Sequence, residues 1–122
     1  DPARELLGQT LYADRGIVGA VYRSGDPYLM VDPDADPNFF RGFDEEGNFH
    51  TRSVVAVPIR IETTVCGVLE LVNRSDGQAY TRKDLELLDY AAKTISIAVE
   101  RKRAEDERRA LGARVLRSQK ME

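Results

Sequence analysis

The chain has no tryptophan, one cysteine and one histidine among its 122 residues, and none of its apolar runs approaches the length of a membrane span. The lone Cys66 excludes an intrachain disulfide and a multi-cysteine zinc site, which fits a reducing compartment. The lone His50 leaves a transition metal short of its usual ligands, so a satisfied or exposed histidine is expected. No nucleophile beside a base and no phosphate-cradling glycine loop is evident, so the sequence does not read as an enzyme. Positive charge is not in excess either: 18 Lys and Arg against 21 Asp and Glu leave a net charge of −3, with pI near 5.3. Neither a nucleic-acid backbone nor an anionic membrane is therefore expected as a partner. Without the pattern of a signal peptide, the expectation is a cytoplasmic protein, and 13.7 kDa suffices for one core.

What is present is patterned. Residues 53–59 (SVVAVPI) and 65–72 (VCGVLELV) are short, apolar and rich in β-branched side chains, as strands are. The brief connection between them favours an antiparallel hairpin, since a parallel crossover needs about a dozen residues or more. Both runs are apolar at nearly every position, which predicts a sheet covered on both faces by helices. In that setting Cys66 is expected in the core, with nothing beside it to depress its pKa. Glu70, sharing a strand face with Val68 and Val72, reads either as a partly buried carboxylate with a raised pKa or as an edge residue paired with an arginine.

A turn cluster at 73–77 follows, and Thr81 is the expected N-cap of a helix beginning near Arg82, with Asp84 reaching back as in a shortened capping box. Leu85, Leu88, Ala92, Ile95 and Val99 then recur at helical steps and form one apolar stripe. Beyond Val99 the chain is almost wholly charged. Arg101 with Glu105, Lys102 with Asp106, Arg103 with Glu107 and Glu105 with Arg109 stand four apart, so opposite charges support a continuing solvated helix.

Upstream, Ile17, Val18, Val21 and Tyr22 lie at helical spacing, Gly25 sits where the helix stops, and Pro27 blocks continuation. Residues 28–31 read as a short strand leading into Asp32, Asp34 and Asp36. Their spacing is similar to the start of a calcium loop, but the glycine and glutamate such a loop needs are absent, and turn chemistry explains them more simply. Phe39, Phe40 and Phe43 come next, and Phe49 closes the acidic loop before His50. Two readings of these aromatics stand: a lid over a planar or apolar ligand, or anchors pinning a long loop to the core. Arg52 and Ser53, at the mouth of a strand, suit an anionic group on a ligand, and for Arg52 a surface ion pair with Asp44, Glu45 or Glu46 is equally open.

In this order, HTRSVVAVPIR (50–60), VCGVLELVNR (65–74) and YTRKDLELLDYAA (80–92) resemble the second half of a GAF domain. Residues 16–27 and 32–37 are similar to the glycine-bounded helix and Asp-rich loop of that family. The resemblance implies an α+β fold, an antiparallel sheet flanked by helices in the GAF/PAS-like manner, with a long C-terminal signalling helix. It implies a sensory domain over residues 1–100 that lacks the usual first helix and strand, and a charged helical linker over 101–122 towards an output domain. Residues 4–12 fit a strand or a short helix. The implied function is a small-molecule-binding sensor of a bacterial-type signalling protein, with ligand contacts from Phe39, Phe43, Phe49, Arg52 and Ser53. The alternative is a ligand-free dimerisation or interaction module. No cofactor is evident. Cyclic-nucleotide-binding members carry an Asn-Lys pair, a Phe and an Asp-Glu pair; Asn73, Tyr80 and Asp84 stand at those places here, but Arg74 and Leu85 replace the Lys and the Glu, so a cyclic nucleotide is supported only in part. The implied partners are a second copy of the chain, paired through the C-terminal helix, and a covalently linked output domain.

Overall fold

The computed structural model of the chain describes residues 15–47 and 49–120; the segment 4–12 lies outside them. The first element is helix α1 (Gly16–Ser24). It ends where the sequence predicts, at Gly25, whose φ of 71° lets its amide donate to the Val21 carbonyl at 2.8 Å. A side chain in that left-handed conformation would cost about 1 kcal/mol. Pro27 turns the chain into strand β1 (Tyr28–Met30). An irregular segment containing the short helix α2 (Gly42–Gly47) leads to β2 (Val54–Ile61) and β3 (Thr64–Val72), and helix α3 runs from Arg82 to Lys120.

The three strands form an antiparallel sheet in the order β1-β2-β3. Its register sets Leu29 against Val55, and Val55 against Leu71. Ile61 pairs with Thr64, so Glu62 and Thr63 alone make the hairpin turn. Glu62 takes a φ of 57°, and its amide donates to the Glu100 carboxylate of α3 at 2.8 Å. That bond ties the hairpin tip to the helix.

Two apolar clusters sit on opposite faces of β2, as alternation along a strand requires. On one face α1 brings Ile17 and Val21 against Met30, Val54 and Ala56, with Phe39 and Val68 at the margin. On the other, Leu85, Leu88 and Ala92 of α3 pack on Val55 and Val57, with Leu69 and Tyr80 beside them. The expected two-sided cover therefore holds for β2, which is buried from Val54 to Pro58. It does not hold for β3, where no residue is fully buried. Cys66 is accordingly exposed rather than in the core, its thiol donating to the Ile59 carbonyl at 3.3 Å. The physical reason is position: β3 is the edge of the described sheet, and the two helices centre on the strand inside it.

Candidate functional site

The segment between β1 and β2 is built from short side chains bonding their own backbone. Asp32 accepts the amide of Asp34 at 3.0 Å and Asp36 that of Asn38 at 2.8 Å, the turn chemistry expected of these aspartates. Asp36 also accepts the Tyr28 hydroxyl at 2.7 Å, and that oxygen in turn accepts from the Asn38 amide group at 3.0 Å. Burial raises the Tyr28 pKa, and the Asp36 carboxylate adds to the rise. The loop is thus fastened to the first residue of β1. Further along, Asp44 of α2 accepts both the amide (2.9 Å) and the hydroxyl (2.6 Å) of Thr51, which is buried. This closes the loop just before β2.

A second group of residues clasps the mouth of β2 to the start of α3. Asn73, at the end of β3 with a φ of 58°, accepts the amides of Arg52 (2.7 Å) and Ser53 (3.3 Å). Its side-chain amide donates to the His50 carbonyl at 2.9 Å, and its backbone amide to the Ser53 carbonyl at 2.9 Å. Ser53 Oγ accepts the Tyr80 amide at 3.2 Å. Arg74 reaches Asp76 at 3.1 Å and Asp84 at 3.3 Å. The capping box is reciprocal: Thr81 Oγ1 accepts the Asp84 amide at 3.3 Å, and the Thr81 amide donates to the Asp84 carboxylate at 2.8 Å. The Thr81 amide, with help from the Thr81 hydroxyl and Arg74, holds the Asp84 carboxyl below its ordinary range. Burial raises the Tyr80 pKa, and Asp84 adds to it.

The sequence-predicted site residues all lie between β1 and β2. Phe39 packs at the margin of the α1 cluster, with the Arg41 guanidinium 5.6 Å from its ring centre. Phe49 is half-buried, and its amide donates to the Asp44 carbonyl at 3.0 Å. Phe43 lies on α2, with its side chain outside the described residues. Arg52 is exposed, while Ser53 is 1% exposed and bonded toward Tyr80, which packs in the α3 cluster. The roles of Asp44 and Thr51 had no signal in the sequence beyond their presence in a polar loop. Glu70 pairs in register with Ala56 and so shares the α1 face. Burial raises its pKa, and no ion pair engages it among the described residues, so the arginine partner considered for it is not found there. A cleft of about 220 Å³ opens beside α3, between Pro27, Pro58, Arg60, Asp89 and Lys93. It is smaller than the roughly 300 Å³ at which ligand pockets begin, and none of the predicted residues lines it. Its cations are engaged, Arg60 with the Gly25 carbonyl at 2.5 Å and Lys93 with Asp89 at 3.2 Å.

Comparison with known proteins places this architecture. The probable 3',5'-cyclic phosphodiesterase pde-5 of Caenorhabditis elegans is 28% identical over 85 residues, which is 70% of this chain and 12% of the relative. The GAF domain of a phosphoenolpyruvate-protein phosphotransferase (ptsP) from Coxiella burnetii superposes with a TM-score of 0.68 at 13% identity, over 86% of this chain and 61% of that one. Free methionine-R-sulfoxide reductase from Neisseria meningitidis, in complex with its substrate, gives a TM-score of 0.62 at 23% identity, over 75% and 53%. At such identities these two structures share the fold. This chain spans a small part of the phosphodiesterase and less than two thirds of either solved chain. The family model for the GAF domain matches residues 2–99, the greater part of a chain whose antiparallel sheet lies between helices, and this chain therefore belongs to the GAF domain family.

Proposed function

We propose that this GAF domain is a small-molecule-binding regulatory sensor whose C-terminal helix passes the ligand state to a covalently linked output domain. The observation that carries the reading is the clasp. The loop end at His50, Arg52 and Ser53 is bonded through Asn73 and Tyr80 to the capped start of α3. A ligand that binds one loop arrangement better than another would bias α3 by that difference in affinity and no more. In this reading Phe39, Phe43 and Phe49 supply aromatic surface, while Arg52 and Ser53 at the strand mouth receive an anionic group. A cyclic nucleotide has those two features, and the name of the phosphodiesterase relative supports that class. Residues 1–100 form the sensory unit and 101–122 the linker, with the Glu100–Glu62 bond at the junction. The linker pairs with its twin in a homodimer.

The role is regulatory rather than catalytic. The one thiol sits on an exposed edge strand, bonded to a carbonyl, and the likeness to a sulfoxide reductase extends to the fold. No described helix is long and apolar enough to cross a membrane, and we place the module in the cytoplasm. One observation favours the ligand-free dimerisation module instead: Phe39 already fills the margin of the α1 cluster. Titration calorimetry of the purified chain with cyclic nucleotides and small metabolites separates the two. Binding that Arg52→Ala weakens about tenfold supports the sensor, whereas a stable dimer that gives no heat with any of them sinks it.

A further inference from the structure

We infer that the outer face of α3 is the seat of a second copy of this chain, lying parallel and in register from Leu87 to Val115. The inference deepens the proposed pairing of the helix by naming its seam, and it rests on that reading. The core stripe of α3, Leu85, Leu88 and Ala92, is buried against the sheet. A second apolar stripe lies on the opposite side. Leu87 (62% exposed), Tyr90 (73%), Ile97 (52%), Leu111 (62%) and Val115 (50%) fall, with Thr94, Arg101, Ala104 and Arg108, at positions 87, 90, 94, 97, 101, 104, 108, 111 and 115. Six of these nine positions are apolar, at the alternating three- and four-residue steps of a left-handed coiled coil over about four heptads, with Thr94, Arg101 and Arg108 interrupting the stripe. Among the described residues of one chain, this face covers nothing.

Charge supplies an independent reason for a twin in this orientation. Of the ion pairs expected along the tail, Lys102–Asp106 (3.1 Å) and Glu105–Arg109 (2.5 Å) form; Arg101, Arg108 and Glu107 take part in no ion pair among the described residues. In the heptad frame Leu87 is an a position and Tyr90 a d position. Arg101 and Arg108 are then a positions, and Glu100 and Glu107 are g positions. In a parallel, in-register pair an a side chain lies beside the preceding g residue of the other helix. Arg108 then meets Glu107 of the partner subunit, and the symmetry makes the pair twice. Glu105, the e residue that would oppose Glu100, is already neutralised by Arg109. Two arginines in the seam lower affinity but fix the register, as polar a residues do.

Sedimentation velocity on the chain carrying Cys66→Ser, which removes its one thiol, tests the seam. The expected result is a dimer that Ile97→Asp and Leu111→Asp each weaken on the order of 100-fold, since each buries a charge in the seam. Both positions are exposed in the single chain, so circular dichroism should show the domain still folded. Ala104→Cys in the same background should oxidise to an intermolecular disulfide, its d position facing its own copy in a parallel pair. Arg108→Glu should weaken the dimer, and adding Glu107→Arg should restore it. A dimer indifferent to both aspartates overturns this seam while leaving pairing through some other surface, whereas a monomer at all concentrations overturns pairing and seam together. Failure of Ala104→Cys to cross-link in an intact dimer overturns the parallel register.

Discussion

The two halves of α3 are one continuous helix held by different forces. From Arg82 to Glu100 the helix begins at a capping box, lays Leu85, Leu88 and Ala92 on β2, and ends at the Glu100 bond to the hairpin tip. Between Arg101 and Ser118 only Glu105 is less than exposed, and the intrachain support on that surface is two i,i+4 ion pairs and a bond from Arg117 to the Ala113 carbonyl. The first half draws its stability from burial, worth about 25 cal/mol per Å² of apolar area. Exposed ion pairs give about 0.3–0.5 kcal/mol each, and most helical stability in proteins comes from packing an apolar face rather than from propensity. A helix that leaves its domain in this way is suited to transmission, because its outer half is free to choose a partner.

The largest test of this contrast is a matched pair of truncations. Leu88→Ala should destabilise the domain by about 2–4 kcal/mol, through lost transfer energy and the cavity left behind. Leu111→Ala should change stability by less than about 0.5 kcal/mol in urea melts dilute enough to keep the chain monomeric. Equal effects would show that the outer half folds against the domain after all. Next in size is the clasp that anchors the docked half. Asn73→Ala should cost about 2 kcal/mol by removing side-chain hydrogen bonds and by putting a residue that tolerates positive φ less well than asparagine in that left-handed conformation. Asn73→Gly should cost less, because glycine accepts that backbone; a costlier glycine variant would argue against the φ contribution.

A smaller effect is expected at Glu70. Burial raises its pKa above the ordinary 4.5, so the folded state binds protons more readily than the unfolded chain does. Stability attributable to this group therefore falls as pH rises through its folded pKa. Glu70→Gln should melt higher than the parent near pH 7, with the gap closing as the pH approaches 4; a gap that widens in acid contradicts the assignment. Smallest is Glu105→Gln in the outer half, expected to cost about 0.3–0.5 kcal/mol and to lose that effect in high salt. Thermal melts followed by helical ellipticity should resolve its sign.

Local signals were readable without coordinates wherever one residue type had one job. Gly25 stops α1, Thr81 and Asp84 cap α3, and the short connection makes the hairpin, because each depends on backbone geometry within a few residues. Cys66 was misread because β2 and β3 have nearly the same composition, and only the placement of α1 and α3 over β2 leaves β3 at the edge. Asn73 reads in sequence as one more turn residue. Its bonds to His50, Arg52 and Ser53 cross about twenty positions, a separation that no local pattern encodes. The tail pairs were half legible, since spacing permits four and rotamer choice on an exposed surface forms two.

The sequence by itself determined the elements, their order and the helical character of the charged tail, because periodicity and capping act over a turn or two of chain. Tertiary structure alone decided which strand is covered on both faces, which side of α3 faces outward, and how the loop mouth is bonded to the helix. Those outcomes depend on which surfaces meet across the fold, and burial is a property of the assembled layers.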